Sequence, residues 1–282
     1  MSTARWRVVF ITVVPAVAQG YTEIVRALGH DPVAVLAPRR RAPGTPPVAL
    51  GPAMFTDAPE GLDVLFAETR LSLAPLLRAY QPDLALCTGF PWLVPAEAIE
   101  VPRLGIVNGH PSLLPRYRGP FPVAWAVRNG EQEIGLTYHS MDASFDTGPV
   151  LAQTRLALSD DETWDGLNDR MAAAAPQLLT EVFARLARGD RGDPQVGDGE
   201  YQSHFEDDYR FVDLSRPAAE VHRQTRAWSF MPPILPDAGP ILERDGTRVR
   251  LLRTSLTELP GAERLECGDA PLWVLETAPA QP

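Results

Sequence analysis

Asn108 and His110 stand two residues apart at the end of the apolar run LGIVN, inside the segment GIVNGHPSLLPRYRGP over residues 105–120. Alternate side chains of an extended strand project from one face, so an amide and an imidazole point the same way before Pro111 ends the ladder. In an open α/β sheet, ligands collect at the carboxyl ends of the strands, which makes this pair a candidate reaction centre. The same two residues could serve only to tie down the loop that follows, and the segment by itself supports both readings. A third candidate, Asp146, lies in the acidic stretch DASFDTGPVLAQ together with Asp142, between two strand-like runs. Acidic loops are usually solvated turns. A carboxylate beside an imidazole, however, raises the imidazole's pKa and holds it as a proton donor, so Asp146 next to His110 would make a proton-handling pair. The fold has to bring them together, because 36 residues separate them.

The elements that would do so follow from apolar periodicity. Residues 6–14, WRVVFITVV, read as a strand, YTEIVRALGHD as an amphipathic helix stopped by Gly29, and PVAVLA as the next strand. The stretch PRRRAPGTPPVALGP is too rich in proline for regular structure. A helix LSLAPLLRAY and the buried runs PDLALCT and LGIVN continue the alternation. The expected fold class is therefore α/β, a mostly parallel open sheet covered on both faces. Next come a helix FPVAWAVRNG closed by Gly130, strands IGLTYHSM and GPVLAQTRLAL, and a long helix that starts from a Ser-x-x-Glu capping signal at Ser159 and Glu162 and contains Pro176. GDRGDPQVGDGE reads as a turn-rich linker, and beyond it lie a helix PAAEVHRQTRAW, a proline cluster and the β-like runs TRVRLLRTSL and PLWVLETA. These place a boundary near residue 203, with a small β-rich unit over 204–282.

At 282 residues and 45% apolar content the chain can bury a sizeable core. No run approaches a membrane-spanning length, and MSTARWRVVFITVV lacks a signal-type cleavage site, which points to the cytoplasm. Cys87 and Cys267 are too few and too far apart for a disulfide framework or a zinc site. With 26 basic and 36 acidic residues the formal charge is −10, which argues against life on a nucleic-acid backbone. The run Arg39-Arg40-Arg41 is the one dense basic feature, read as a solvated loop in preference to an anion contact. His30, His139, His204 and His222 show no metal-ligand spacing and are assigned surface or core roles. Phosphate-cradle, zinc-protease, serine-hydrolase and dinucleotide-binding motifs are missing from the sequence.

N-x-HPSLLPRYRG, then a helix ending in NGE, then GLT and D-T-G-P-V-L-A-Q, resembles the signature of the formyltransferases that use 10-formyltetrahydrofolate, among them methionyl-tRNA formyltransferases and sugar or small-amine N-formyltransferases. The likeness is dense over residues 84–154 and looser over the whole chain. It implies a Rossmann-like formyltransferase core over 1–203 and a truncated, OB-like C-terminal subdomain over 204–282. By the same resemblance Asn108, His110 and Asp146 fall on the catalytic Asn, His and Asp. Phe90, Trp92, Leu93 and Val94, with Ser140 and Asp142, fall on the loops that hold the pterin. Arg116, Tyr117 and Arg118 would meet the acceptor or the donor's glutamate.

The resemblance implies 10-formyltetrahydrofolate as co-substrate, no metal, and transfer through a tetrahedral oxyanion. Asn108 and a protonated His110 would stabilise that oxyanion, and Asp146 would keep His110 charged. The loop TVVPAVAQGY, the short region 42–65 and the clipped tail depart from the tRNA branch. The expected acceptor is accordingly a small amine, such as an amino sugar or amino acid derivative, with methionyl-tRNA as the alternative. Release of formate to water, or folate binding without turnover, are the remaining alternatives.

Overall fold

The computed structural model describes residues 5–39, 55, 59–231, 239–244 and 246–280. Seven strands form the main sheet in the order β3-β2-β1-β4-β5-β6-β7, where β1 is Arg7–Thr12, β2 Asp31–Pro38, β3 Asp63–Ala67, β4 Leu84–Thr88, β5 Ile106–His110, β6 Glu133–Ser140 and β7 Val150–Ala157. The pairs β1–β2, β2–β3, β1–β4 and β4–β5 are parallel, and β5–β6 is antiparallel. Near-continuous apolar runs explain the central position of β1 and β4, since a strand with both faces covered by helices has no place for alternation. One face buries Val9, Ile11, Leu36, Leu77, Cys87 and Ile106 in a single cluster. Elsewhere in the fold His30, Trp6 and Phe183 stack mutually, with ring centroids 4.7 to 5.3 Å apart, and His30 Nδ1 accepts from the Trp6 backbone N–H at 3.1 Å.

The helices are α1 (Pro15–Ala27), α2 (Leu73–Tyr80), α3 (Ala96–Ile99), α4 (Pro122–Arg128), α5 (Trp164–Ala187) and α6 (Ala218–Ser229). Two starts differ from the sequence reading. α1 opens at Pro15, because proline suits a first helical position, and so includes AVAQG. α5 opens at Trp164, five residues beyond Ser159. The Ser159 hydroxyl is spent on Asp161, whereas the Thr163 hydroxyl accepts the Gly166 N–H at 3.1 Å and is the actual cap. Strand β3 was not foreseen. It is a five-residue edge strand following a proline-rich stretch, and it is only half-buried over most of its length. Arg39 pairs with Glu68 at 2.9 Å, which fits the solvated-loop reading for that residue; Arg40 and Arg41 lie outside the described residues.

The chain forms two compact units that interleave in sequence: residues 1–120, 135–156 and 168–201, and residues 121–134, 157–167 and 202–282. The second contains a four-stranded antiparallel sheet in the order β10-β11-β9-β8, from β8 (Ile241–Arg244), β9 (Thr247–Ser255), β10 (Glu263–Glu266) and β11 (Pro271–Pro279). Register shifts between Val274 and Thr277 bend β11 against β9. Leu242, Leu251, Leu265 and Val274 fill one small core, and Val221 of α6 packs with Leu272 in another. Both cysteines are free; Cys87 is buried in the sheet and Cys267 is half-buried. No helix among the described residues is long and apolar enough to cross a membrane.

Candidate active site

Strand β5 carries Asn108 and His110 to its carboxyl end, as the spacing requires, and its neighbour β6 places His139 directly opposite Asn108 and Thr137 opposite His110. The residue between them, Gly109, faces the other side. A Cβ there would sit 2.7 Å from Thr88 Oγ1 and 2.9 Å from the Tyr21 hydroxyl. Those two groups bond to each other at 2.6 Å and, with buried Tyr138, brace the strand from beneath. Only glycine lets the polar layer under β5 come this close while its two neighbours face Asp146.

Asp146 comes from the loop between β6 and β7 and holds a left-handed backbone, φ +56°. Its carboxylate meets four donors or rings. Gly119 N–H donates to Oδ2 at 2.9 Å and the Asn108 amide donates to Oδ1 at 3.3 Å, while His110 Nδ1 and His139 Nε2 each lie 3.5 Å from Oδ1. His110, Asn108 and Asp146 therefore converge, and all three are at least half-buried. The His110 Nε2 donates to the carbonyl of Tyr117 at 2.9 Å, and Tyr117 is itself left-handed, φ +58°. His139 Nδ1 lies 3.1 Å from the Ser140 carbonyl, and its Nε2 lies 3.2 Å from the Asn108 amide nitrogen as well as 3.5 Å from Asp146 Oδ1.

Burial works against charge at Asp146, but the attraction of His110 in its protonated form, the His139 contact and the Gly119 N–H outweigh it and hold the carboxyl at about 2. The carboxylate is ionised at neutral pH. At His110 the balance tips the other way: burial lowers its pKa more than Asp146 and the Tyr117 carbonyl raise it, and the perpendicular His139 ring lowers it further. Asp146 thus does not outweigh burial at this ring, which runs against the expectation that it keeps His110 charged. Desolvation of the ring, 5% exposed, exceeds the attraction of one carboxylate at 3.5 Å, so burial favours the neutral imidazole, with Nε2 against the Tyr117 carbonyl and Nδ1 on the Asp146 side.

His139 is the site residue that sequence reasoning assigned elsewhere. The available signal was positional: in a β5–β6 antiparallel pair, alternation along GLTYHS puts Thr137 and His139 on the face that carries His110 and Asn108. Without knowing that β6 adds beside β5, metal-ligand spacing was the wrong test.

The other expected residues divide by location. Phe90 and Trp92 meet edge to face at 5.4 Å after β4, half-buried, and with Val94 and Met141 they pack on the same apolar cluster. Leu93 is half-buried between them. The Ser140 hydroxyl donates to the Arg191 carbonyl, and Asp142 accepts from Ser144 N–H at 3.1 Å and from Thr147 Oγ1 at 2.7 Å, so both stabilise the loop that presents Asp146. Arg116 lies over the Tyr117 ring at 5.4 Å. Arg118 turns inward, onto Gln195 and the Gly199 carbonyl. Among the described residues no three His, Cys, Asp or Glu side chains are arranged to hold a metal ion.

Residues 49–183 match the family model described as Formyl transferase. The chain is 33% identical over 221 residues to the methionyl-tRNA formyltransferase of Myxococcus xanthus, covering 75% of this chain and 71% of that protein. It is 36% identical over 167 residues to the GDP-perosamine N-formyltransferase of Brucella melitensis, covering 59% and 63%. For several other methionyl-tRNA formyltransferases the match spans 51% to 59% of their length. In three dimensions the chain superposes on HypX from Aquifex aeolicus, solved in complex with tetrahydrofolic acid, with a TM-score of 0.70 at 18% identity, over 99% of this chain and 45% of that one. That last likeness is one of fold.

Proposed function

The chain belongs to the formyl transferase family, and from that premise we propose that it transfers a formyl group from 10-formyltetrahydrofolate to the amine of a small-molecule acceptor. The observation that carries the reading is the convergence of Asn108, His110 and Asp146 around one carboxylate oxygen at the carboxyl end of β5. A reduced folate fits the surroundings: Phe90, Trp92 and Met141 supply apolar walls beside the loop of residues 140–148, and a tetrahydrofolate complex exists for a protein of the same fold. In this reading Ser140 and Asp142 hold the pterin loop in shape. Residues 204–282 are taken as an OB-like C-terminal subdomain.

The acceptor amine attacks the formyl carbon, a C–N bond forms, and the carbonyl oxygen becomes an oxyanion. A neutral His110 is suited to take the proton that the attacking nitrogen must lose, because the imidazolium so formed faces the ionised Asp146. That event has a second effect. Asn108, His110 and His139 all approach the same Oδ1, so a charge-assisted N–H from His110 displaces the weaker amide contact and releases an Asn108 N–H for the oxyanion. One preorganised donor of that kind lowers the barrier by on the order of 3 kcal/mol. The proton then passes to the departing folate nitrogen as its bond to carbon breaks, and the site returns to its starting state.

The second reading, methionyl-tRNA as acceptor, is favoured by the names of most curated relatives. Against it stands charge: residues 202–282 hold 9 arginines and 13 acidic residues, a poor surface for an RNA backbone. The test offers initiator methionyl-tRNA beside a panel of amino sugars and amino acid derivatives, with formyl donor present, and follows the gain of one formyl group by mass spectrometry. Formylation of small amines, lost by at least ~10²-fold in His110→Ala while donor binding persists, is the expected result. Efficient formylation of the tRNA, falling steeply with salt, would promote the second reading instead.

A further inference from the structure

The stretch GDRGDPQVGDGE, expected to be a linker, is bound along its length to the first unit. Asp193 exchanges two backbone hydrogen bonds with Val150, at 2.8 and 2.9 Å. The Arg191 guanidinium donates to the carbonyls of Leu104 and Arg103. Gly199 passes so near Pro115 that a Cβ would lie 2.3 Å from its carbonyl oxygen, and Tyr201 bridges to Arg118. At the centre is Gln195. Its Nε2 donates to the carbonyls of Asp146 and Gly148, both at 2.8 Å, and its Oε1 accepts from Arg118 Nε at 3.2 Å and Nη2 at 2.7 Å. Arg118 completes the fork with a bond from Nη1 to the Gly199 carbonyl at 3.0 Å.

These bonds span the two loops whose geometry the chemistry needs. Asp146 lies in a left-handed conformation that costs a non-glycine residue ~1–2 kcal/mol and persists only where its surroundings enforce it. Gln195 grips that residue by its own carbonyl. Through Arg118 the same amide holds the neighbouring loop, whose next residue, Gly119, donates its N–H to the Asp146 carboxylate and whose Tyr117 carbonyl fixes His110. A single amide, satisfied at both ends, thus sets the distance between the carboxylate's loop and the loop that supplies its backbone donor.

We infer that Gln195 is a positioning residue for formyl transfer, acting through Arg118 and the Asp146 backbone to hold Asp146 against His110. This inference rests on the proposed activity. It is distinct from that activity in having a readout of its own, the ionisation of Asp146.

The experiment compares wild type, Gln195→Ala and Gln195→Glu. Gln195→Glu keeps an acceptor for Arg118, and strengthens it, but sets a carboxylate oxygen against the carbonyls of Asp146 and Gly148. If the amide positions Asp146, both variants lose ~10- to 100-fold in kcat with the KM for either substrate changed by less than about threefold, since the loss falls on the transition state. Carbon-13 spectra of labelled aspartate, assigned with Asp146→Asn, would show the Asp146 carboxyl ionised down to about pH 3 in wild type and titrating above it in Gln195→Ala. If Gln195 merely ties the strap to the surface, Gln195→Glu restores turnover through its ion pair with Arg118, and the inference falls. It also falls if Gln195→Ala folds, keeps its kcat and leaves the Asp146 titration unmoved. Should wild type transfer no formyl group to any amine, the functional reading fails, and the aspartate titration still decides the role of Gln195.

Discussion

Replacing Asp146 with asparagine should cost both turnover and stability, and the stability cost should itself depend on pH. The side chain is about 11% exposed and its carboxyl is held at about 2, against 3.8 for an unperturbed aspartate. By linkage this shift is equivalent to ~2 kcal/mol of stability at neutral pH. The folded-state pKa is depressed, so the contribution is fully present above the unfolded value near 3.8 and is lost as pH falls towards 2. Part of it comes from a charged His110, which burial disfavours, and ~2 kcal/mol is accordingly a ceiling. Asparagine can keep an acceptor for the Gly119 N–H, but it then turns an NH2 towards the Asn108 amide, setting donor against donor.

Urea unfolding of wild type and Asp146→Asn at pH 7 and again near pH 3 checks this. The variant should unfold earlier at pH 7, by at most ~2 kcal/mol, and the gap should narrow at the lower pH. Formyl transfer by the variant should fall by at least ~10²-fold, because the imidazolium formed at His110 would have no counter-charge. A stability gap that is equal at both pH values would refute the assigned ionisation of Asp146. Near-normal turnover would refute its role.

Gly109→Ala should destabilise the protein by ~1–3 kcal/mol in thermal or urea unfolding, since its Cβ meets Thr88 and Tyr21 below 3 Å, and should lower turnover by displacing both neighbours. The test is whether Thr88→Ala with Tyr21→Phe, which removes both oxygens that the added Cβ would strike, relieves the effect. His222, buried on α6 and bonded to Thr254 Oγ1 at 2.8 Å, has its pKa pushed down to about 4 by burial and by Arg226. Its neutral form favours the fold, a contribution complete above the unfolded value of 6.5 and lost as pH falls through 4, so His222→Gln should flatten the acid side of the stability profile over that window.

The strand that carries Asn108 and His110 was legible because two local rules agree there. An apolar run ending in Asn-x-His-Pro fixes both the element and the face, and β5 ends at His110 as the proline requires. The doubly covered sheet was legible for the same reason, in runs such as LALCT that leave no solvent-facing positions. What local sequence could not carry was partnership across strands. His139 enters the site only because β6 pairs antiparallel with β5, and a histidine in TYHS carries no mark of that neighbour. Desolvation is equally invisible in sequence. The charge state of His110 depends on how completely the ring is enclosed, and the burial that lowers its pKa comes from residues spread over the whole sheet.

The reading of residues 189–200 failed for a more general reason. Glycine, proline and aspartate mark backbone that is neither helix nor strand, and that much is correct for this segment. Irregular backbone is not the same as a spacer, however. Its carbonyls and N–H groups still need partners when they are covered, and here they find them in Val150 at the start of β7 and in Arg118 of the loop after β5. Two glycines mark the contacts: Gly192 and Gly199 lie where a Cβ would strike the Val150 and Pro115 carbonyls. At both, glycine permits the irregular segment to lie flat on neighbouring backbone. A turn-rich stretch whose glycines face backbone is better read as a packed strap than as a tether, and in this chain that strap reaches the residue on which the proposed chemistry turns.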